Sequence, residues 1–229
     1  MVETRKEDKT IRDFTIPVQE FPFDFNGAIL DIKKIGIMKE GKSVVREFAL
    51  TLRRGSHVLL VGPNGIGKST FLERVVNVKA PITKQGVVTG QAPGVTIGDG
   101  VIAGYYRQDF STLDFNMTGY DCLDAVMTKK DEQVLRSTAA GFLLDGKVLS
   151  NQIKYMSEGQ KGLLSFARLV LMRPGLLILD EPTNHINFRH LPVIAKALDA
   201  YEGALLLVSH IPDFVAQIRI DTTVDLGIF

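Results

Sequence analysis

The sequence predicts an α/β fold with a mainly parallel central sheet, an antiparallel β subdomain and a small helical subdomain. Three observations carry this. The runs VLLVG, VIAGYY, LLILD and ALLLVS are short and nearly all aliphatic, the composition of strands buried on both faces. Helical stretches fall between several of them, which suits parallel strands covered on both sides. A glycine-rich loop joins the first run to a helical stretch, a phosphate-binding arrangement.

With 229 residues, 45% hydrophobic, the chain has room for one large or two small domains and a real core. A charged fraction of 23% and a net charge of +1 argue against disorder and give no global pull toward nucleic acid or an anionic membrane. The single Cys122 excludes an internal disulfide framework and suits a reducing compartment. No apolar run of membrane-spanning length appears, and the start MVETRKEDKT is too polar for a secretory signal. A cytoplasmic, soluble protein is expected.

Taken in order, Met1–Thr10 is highly charged and aperiodic, a frayed tail or the end of a linker. Phe14–Phe25 mixes Phe and Pro with polar residues, an extended stretch that lays aromatic rings on the domain's own flank. Residues 1–27 thus form a linker-like N-terminal segment and 28–229 the main domain. From Ala28, AILDIKKIGI and VVREFALTL read as an antiparallel hairpin with its turn around Gly41. The long connection Thr118–Met172 is mostly helical, placing the helical subdomain at about 111–172.

GPNGIGKST, Gly62 to Thr70, follows the first buried strand and precedes FLERVVNV. Glycines let consecutive backbone N–H groups turn inward around an anion, and the following helix adds the positive end of its dipole. Gly62, Pro63, Asn64, Gly65, Ile66, Gly67, Lys68, Ser69 and Thr70 are therefore the expected phosphate cradle. Lys68 reaches the β- and γ-phosphates and Ser69 holds Mg²⁺. A plain glycine-rich helix cap is the alternative.

LLILDEP ends in adjacent carboxylates. A second parallel strand beside the first would bring them to the loop, Asp180 for the metal and Glu181 as the base, their side chains leaving the strand on opposite sides. Helix caps or surface pairs are the competing reading. ALLLVS leads to His210, placed to donate a hydrogen bond to the γ-phosphate, or else an ordinary strand-end histidine. Tyr155–Leu169 opens a helix at Ser157, an N-cap whose free N–H groups suit a phosphate as well as an ordinary capped helix.

The order GPNGIGKST, Gln108 after a strand, MSEGQ, LLILDEPTNH and His210 in LLLVSH resembles the nucleotide-binding domain of the ATP-binding-cassette superfamily, over about Ala28 to Leu226. The EPTNH string looks most like the ABC-F class, soluble twin-cassette proteins that act on ribosomes. The resemblance implies an ATPase that binds ATP and Mg²⁺. It implies that Ser157, Gly159 and Gln160 contact the γ-phosphate held by a facing cassette, that Gln108 senses Mg²⁺, that Asn184, His185, Ile186 and Asn187 cross between cassettes, and that His210 is the switch histidine. It also implies a partner: a second cassette, supplied by a missing half of the same chain or by a second copy. The charged start resembles the linker into a C-terminal cassette.

Several positions depart from the family's pattern. Met156 and Glu158 replace Leu and Gly in the signature, Asn187 replaces Asp, and Ile211 and Pro212 follow His210. The position at which the family often supplies an adenine-stacking aromatic falls near Ile37 or Met38, neither of them aromatic, so the base is expected to rest on aliphatic contact or on Phe21, Phe23 or Phe25 folding back. The competing functions are the motor subunit of a membrane transporter and a non-catalytic nucleotide-reading module. The pairs Lys33 and Lys34, Arg53 and Arg54, and Lys129 and Lys130 read as solvated surface more readily than as an RNA footprint, and contact with the ribosome or RNA belongs to the full-length context.

Overall fold

The computed structural model describes residues 9–22, 25–39, 42–76 and 94–228. Residues 1–8, Phe23 and Gly41 lie outside that set, as do the side chains of Ile37 and Met38. The expected hairpin is present as β1 (Leu30–Lys39) and β2 (Lys42–Leu52), antiparallel with Leu30 opposite Leu52 and a register shift between Ile32 and Lys34. β3 (His57–Val61) leads into α1 (Lys68–Val76). Next come β4 (Val95–Ile97), which adds a third strand to the hairpin along β1, and β5 (Ala103–Tyr106).

The helical subdomain holds α2 (Gly119–Ala125), α3 (Glu132–Gly141), α4 (Gly146–Ser150) and α5 (Glu158–Met172). Thr118, Asp131, Asp145 and Ser157 each begin one of these helices by accepting a backbone N–H with the side chain, satisfying donors the helix itself cannot. β6 (Leu176–Asp180), α6 (Leu191–Asp199), β7 (Ala204–Val208), the short α7 (Pro212–Val215) and β8 (Thr222–Asp225) complete the domain.

The central sheet is wholly parallel in the order β5-β6-β7-β3-β8. The acidic strand β6 therefore does not lie beside β3, contrary to the sequence expectation. β7 stands between them, because its aliphatic run pairs on both edges, Leu205 with His57 and with Leu177. Both sheet faces are buried, and residues alternate between two cores. Leu177, Leu179, Leu205 and Leu207 join the helical side, while Leu176, Ile178, Leu206 and Val208 join the side of the three-stranded sheet and α1. All four strands that bear candidate residues run the same way, so their C-terminal ends meet at one edge.

The N-terminal segment is a strap. Ile11 and Ile16 are buried, the Phe14 ring stands 4.7 Å from that of Phe142, Arg12 N–H donates to Gly141, and Lys196 pairs with Asp13 at 2.5 Å. Gln19 then accepts from Ile102 N–H and donates to the Gly100 carbonyl. Phe21 and Phe25 stack on each other at 4.5 Å, with the Arg54 guanidinium 5.6 Å from the Phe21 ring, and a side chain at Gly175 would meet Phe21 at 2.7 Å. Arg54 and Gly175 precede β3 and β6, so these rings sit at the sheet edge opposite the glycine-rich loop. Phe21 and Phe25 are thus in no position to fold back on a base.

Candidate functional site

The loop after β3 needs backbone conformations open mainly to glycine. Gly62 has φ +143°, and a Cβ there would crowd Ile66 at 3.3 Å, while Gly67 has φ +99° as the chain enters α1. Lys68 is buried, its Nζ donating to the carbonyls of Gly62 at 2.7 Å and Pro63 at 3.1 Å, so the ammonium is held over the loop's own concavity.

Around this loop lies a cavity of about 530 Å³ lined by Asn64, Gly65, Gly67, Lys68, Ser69, Thr70, Gln108, Asp180, Glu181, Asn184, Val208 and His210. Sequence reasoning named all of these except Val208; Asn184, expected in a segment that crosses between cassettes, lines this chain's own cavity. The Ser69 hydroxyl is hydrogen-bonded to the Asp180 carboxylate. Burial raises the Asp180 pKa above the ordinary value, against the pull of Ser69 and of the Arg107 guanidinium. Glu181 is also raised, by burial first and by the Asp180 charge, with His210 opposing.

The two acids do not separate by strand alternation as expected. β6 ends at Asp180, and Glu181 takes φ +48°, the left-handed region, where its N–H donates to Val208 at 3.0 Å. That bend turns the Glu181 carboxylate toward His210. Its Oε2 accepts the His210 backbone N–H at 3.2 Å and its Oε1 lies 3.1 Å from His210 Nε2. Both acids therefore line one cavity.

The Ser157 group stands apart from that cavity. Ser157 Oγ accepts Gln160 N–H at 3.2 Å and Gln160 Oε1 accepts Ser157 N–H at 2.9 Å, a reciprocal cap. Gly159 lies against the His185 carbonyl, and a Cβ on Gly162 would collide with Ile186 Cδ1 at 2.6 Å. The Glu158 carboxylate, beside this cap, lies 3.0 Å from His185 Nδ1. Neither that pair nor the tether from Arg107 to Glu73 at 2.5 Å was evident beforehand. Arg107 adjoins Gln108, and a charged neighbour of a motif residue is the only trace it leaves in sequence.

Among the described residues no three His, Cys, Asp or Glu come together as a metal centre. The oxygen pair Ser69–Asp180 suits a hard cation that takes its remaining ligands from phosphate and water. None of the residues lining the cavity is Phe, Tyr or Trp.

The ABC transporter family profile matches residues 45–184. The chain is 30% identical over 192 residues to the ATP-binding protein Uup of Escherichia coli (strain K12), covering 82% of this chain and 29% of that protein. It is 28% identical over 194 residues to ABC transporter F family member 5 of Arabidopsis thaliana, covering 83% and 27%. It thus spans less than a third of the length of these relatives. Among solved structures it is similar to a dimeric ATP-binding cassette in a post-hydrolysis state bound to ADP and Pi, with a TM-score of 0.61, 18% identity, and coverage of 82% of this chain and 90% of that one.

Proposed function

We propose, from the premise that this chain belongs to the ABC transporter family, that it is an ATP-binding and ATP-hydrolysing cassette that closes head to tail on a second cassette around two magnesium–ATP. The observation that carries the reading is the convergence of Lys68, Ser69, Asp180, Glu181 and His210 on one cavity at one sheet edge.

In this mechanism the backbone N–H groups of the loop from Asn64 to Thr70 hold the β- and γ-phosphates, and Lys68 moves from the Gly62 and Pro63 carbonyls to phosphate oxygens. Ser69 and Asp180 would hold Mg²⁺, with Gln108 at the same cavity; the ion would supply positive charge to offset that of the phosphoryl oxygens. Glu181 orients an in-line water and accepts its proton, a role suited to a carboxylate whose pKa burial has raised. His210 steadies Glu181 through Nε2 and its backbone N–H and donates to the γ-phosphate. Ser157, Gly159 and Gln160 sit outside this chain's cavity, so they serve the nucleotide of a facing cassette, which completes the electrostatic wall. That partner is a second copy or another cassette of a longer protein.

The EPTNH string and the relative carrying an F family name support an ABC-F assignment, with closure acting on the ribosome in translation. No helix among the described residues is long and apolar enough to cross a membrane. The test is co-sedimentation of the Glu181→Gln chain with ribosomes and with membranes in ATP. Ribosome association that depends on ATP is expected, and association with membranes alone would move the assignment to a transporter motor. A steady-state ATPase rate unchanged by Glu181→Gln would remove that residue from the base role.

A further inference from the structure

Gln108 lies just beyond the end of β5 with its side chain exposed, so its place in the cavity is set by the residues on either side of it. Arg107 is tied down on three sides. Its Nη2 donates to Glu73 Oε1 at 2.5 Å and to Asp109 Oδ2 at 3.2 Å, and its Nε stands 3.1 Å from Asp109 Oδ1. The guanidinium also lies 5.8 Å from the centre of the Tyr105 ring. The Arg107 side chain is only 17% exposed, so its pairing with Glu73 is screened less than a surface ion pair would be. Beyond Gln108, Asp109 Oδ1 accepts the Ser111 N–H and hydroxyl. Phe110 then takes φ +55° with its ring buried 5.1 Å from that of His185. The short turn that carries Gln108 is thus anchored before and after it.

The meaning of the anchor lies in where Glu73 stands. It follows Ser69 by four residues in α1, so the two side chains share one face of that helix, a single turn apart. Ser69 is hydrogen-bonded to Asp180, and Glu73 to Arg107. One helix face therefore holds both the oxygen pair suited to a hard cation and the turn that brings Gln108 to the same cavity. We infer that Arg107 is a positioning residue: by linking Glu73 to the turn at Asp109 it fixes Gln108 relative to the Ser69–Asp180 pair and raises the affinity of that site for a divalent cation. This rests on the nucleotide-binding reading of the cavity. A guanidinium suits the task because its planar fork spans two carboxylates on different elements, which the single ammonium of lysine does not reproduce.

The test measures Mn²⁺ affinity by electron paramagnetic resonance in the Glu181→Gln chain, held in excess over ATP, beside ATP binding without metal. Arg107→Ala and Glu73→Ala are each expected to weaken Mn²⁺ binding about tenfold, as removal of a residue that orients a metal site does, and to leave metal-free ATP binding unchanged. In a Gln108→Ala chain neither substitution should weaken it further, because both act through Gln108. Arg107→Lys should weaken it too. The Arg107 charge also pulls on Asp180, so additive losses with Gln108→Ala, or an Arg107→Lys chain equal to the unsubstituted one, would assign the effect to that charge and overturn the inference. Mn²⁺ affinity indifferent to Arg107→Ala or to Gln108→Ala overturns it as well. An equal loss of metal-free ATP binding also does, since Arg107 would then support the fold in general. If Arg107→Ala does not fold, Glu73→Ala, which places a strong helix former in α1, decides alone. A Glu181→Gln chain that binds no ATP refutes the nucleotide reading itself, which every outcome above leaves standing.

Discussion

Substituting Gly162 by Ala sets two known effects against each other. In the interior of α5, alanine is favoured over glycine by about 0.5–1 kcal/mol. The added methyl, however, meets Ile186 Cδ1 at 2.6 Å and Tyr106 Oη at 3.1 Å, and both neighbours are buried. Overpacking of this kind costs about 1–3 kcal/mol, so the net effect is a destabilisation of up to about 2.5 kcal/mol. For a domain of this size that corresponds to roughly 2–4 °C of melting temperature per kcal/mol. Ile186→Val removes the very atom that collides, so the double variant should recover most of the loss, a coupling that a double-mutant cycle measures. Because Ile186 adjoins His185, which holds Glu158, Gly162→Ala should also weaken ATP-dependent pairing while nucleotide binding persists. A melting temperature raised by Gly162→Ala alone, or additive effects in the cycle, would refute the account of this contact.

Other perturbations follow from the same geometry. Because burial raises the Glu181 pKa, its stabilising contribution is complete below the ordinary value of 4.5 and is lost as pH rises through the raised value. Glu181→Gln should therefore melt higher than the parent near neutrality, and the gap should close on acidification, as a thermal shift series would record. For the same reason the ATPase rate should fall on the acid side at a pH above that of an ordinary glutamate, with Glu181→Gln removing activity throughout. Ser157→Arg should abolish ATP-dependent pairing in sedimentation yet leave nucleotide binding to the single chain unchanged, whereas collapse of binding itself would discard the trans role of Ser157. Ser157→Ala, which removes only the cap, should cost about 1 kcal/mol in urea unfolding.

The strands and loop that build the cavity were readable because their signals are local. VLLVG, LLILD and ALLLVS are too apolar and too short to be anything but doubly buried strands, and GPNGIGKST announces its own backbone conformation. What escaped depends on pairing across the fold. Strand order follows from which aliphatic edges match, and no sequence pattern says that β7 separates β3 from β6. β4 and β8 were missed because one is three residues long and the other sits at an edge with two exposed threonines. The left-handed turn at Glu181 was invisible because glutamate gives no hint of it. Phe21 and Phe25 were correctly read as aromatic cover for the domain's own flank, but which edge they cover is settled by Arg54 and Gly175, far apart in sequence.

The strand between the lysine-bearing loop and the acids has a further meaning. Two ladder spacings set the distance between those machineries at about 9.6 Å, and His210 rises from the middle rung. The width available to a reacting group is thus fixed by main-chain hydrogen bonding and not by any side chain. Substitutions along the rim can alter charge, timing or partner choice while the gauge of the cleft stays constant, which makes this edge tolerant of the sequence departures seen around it.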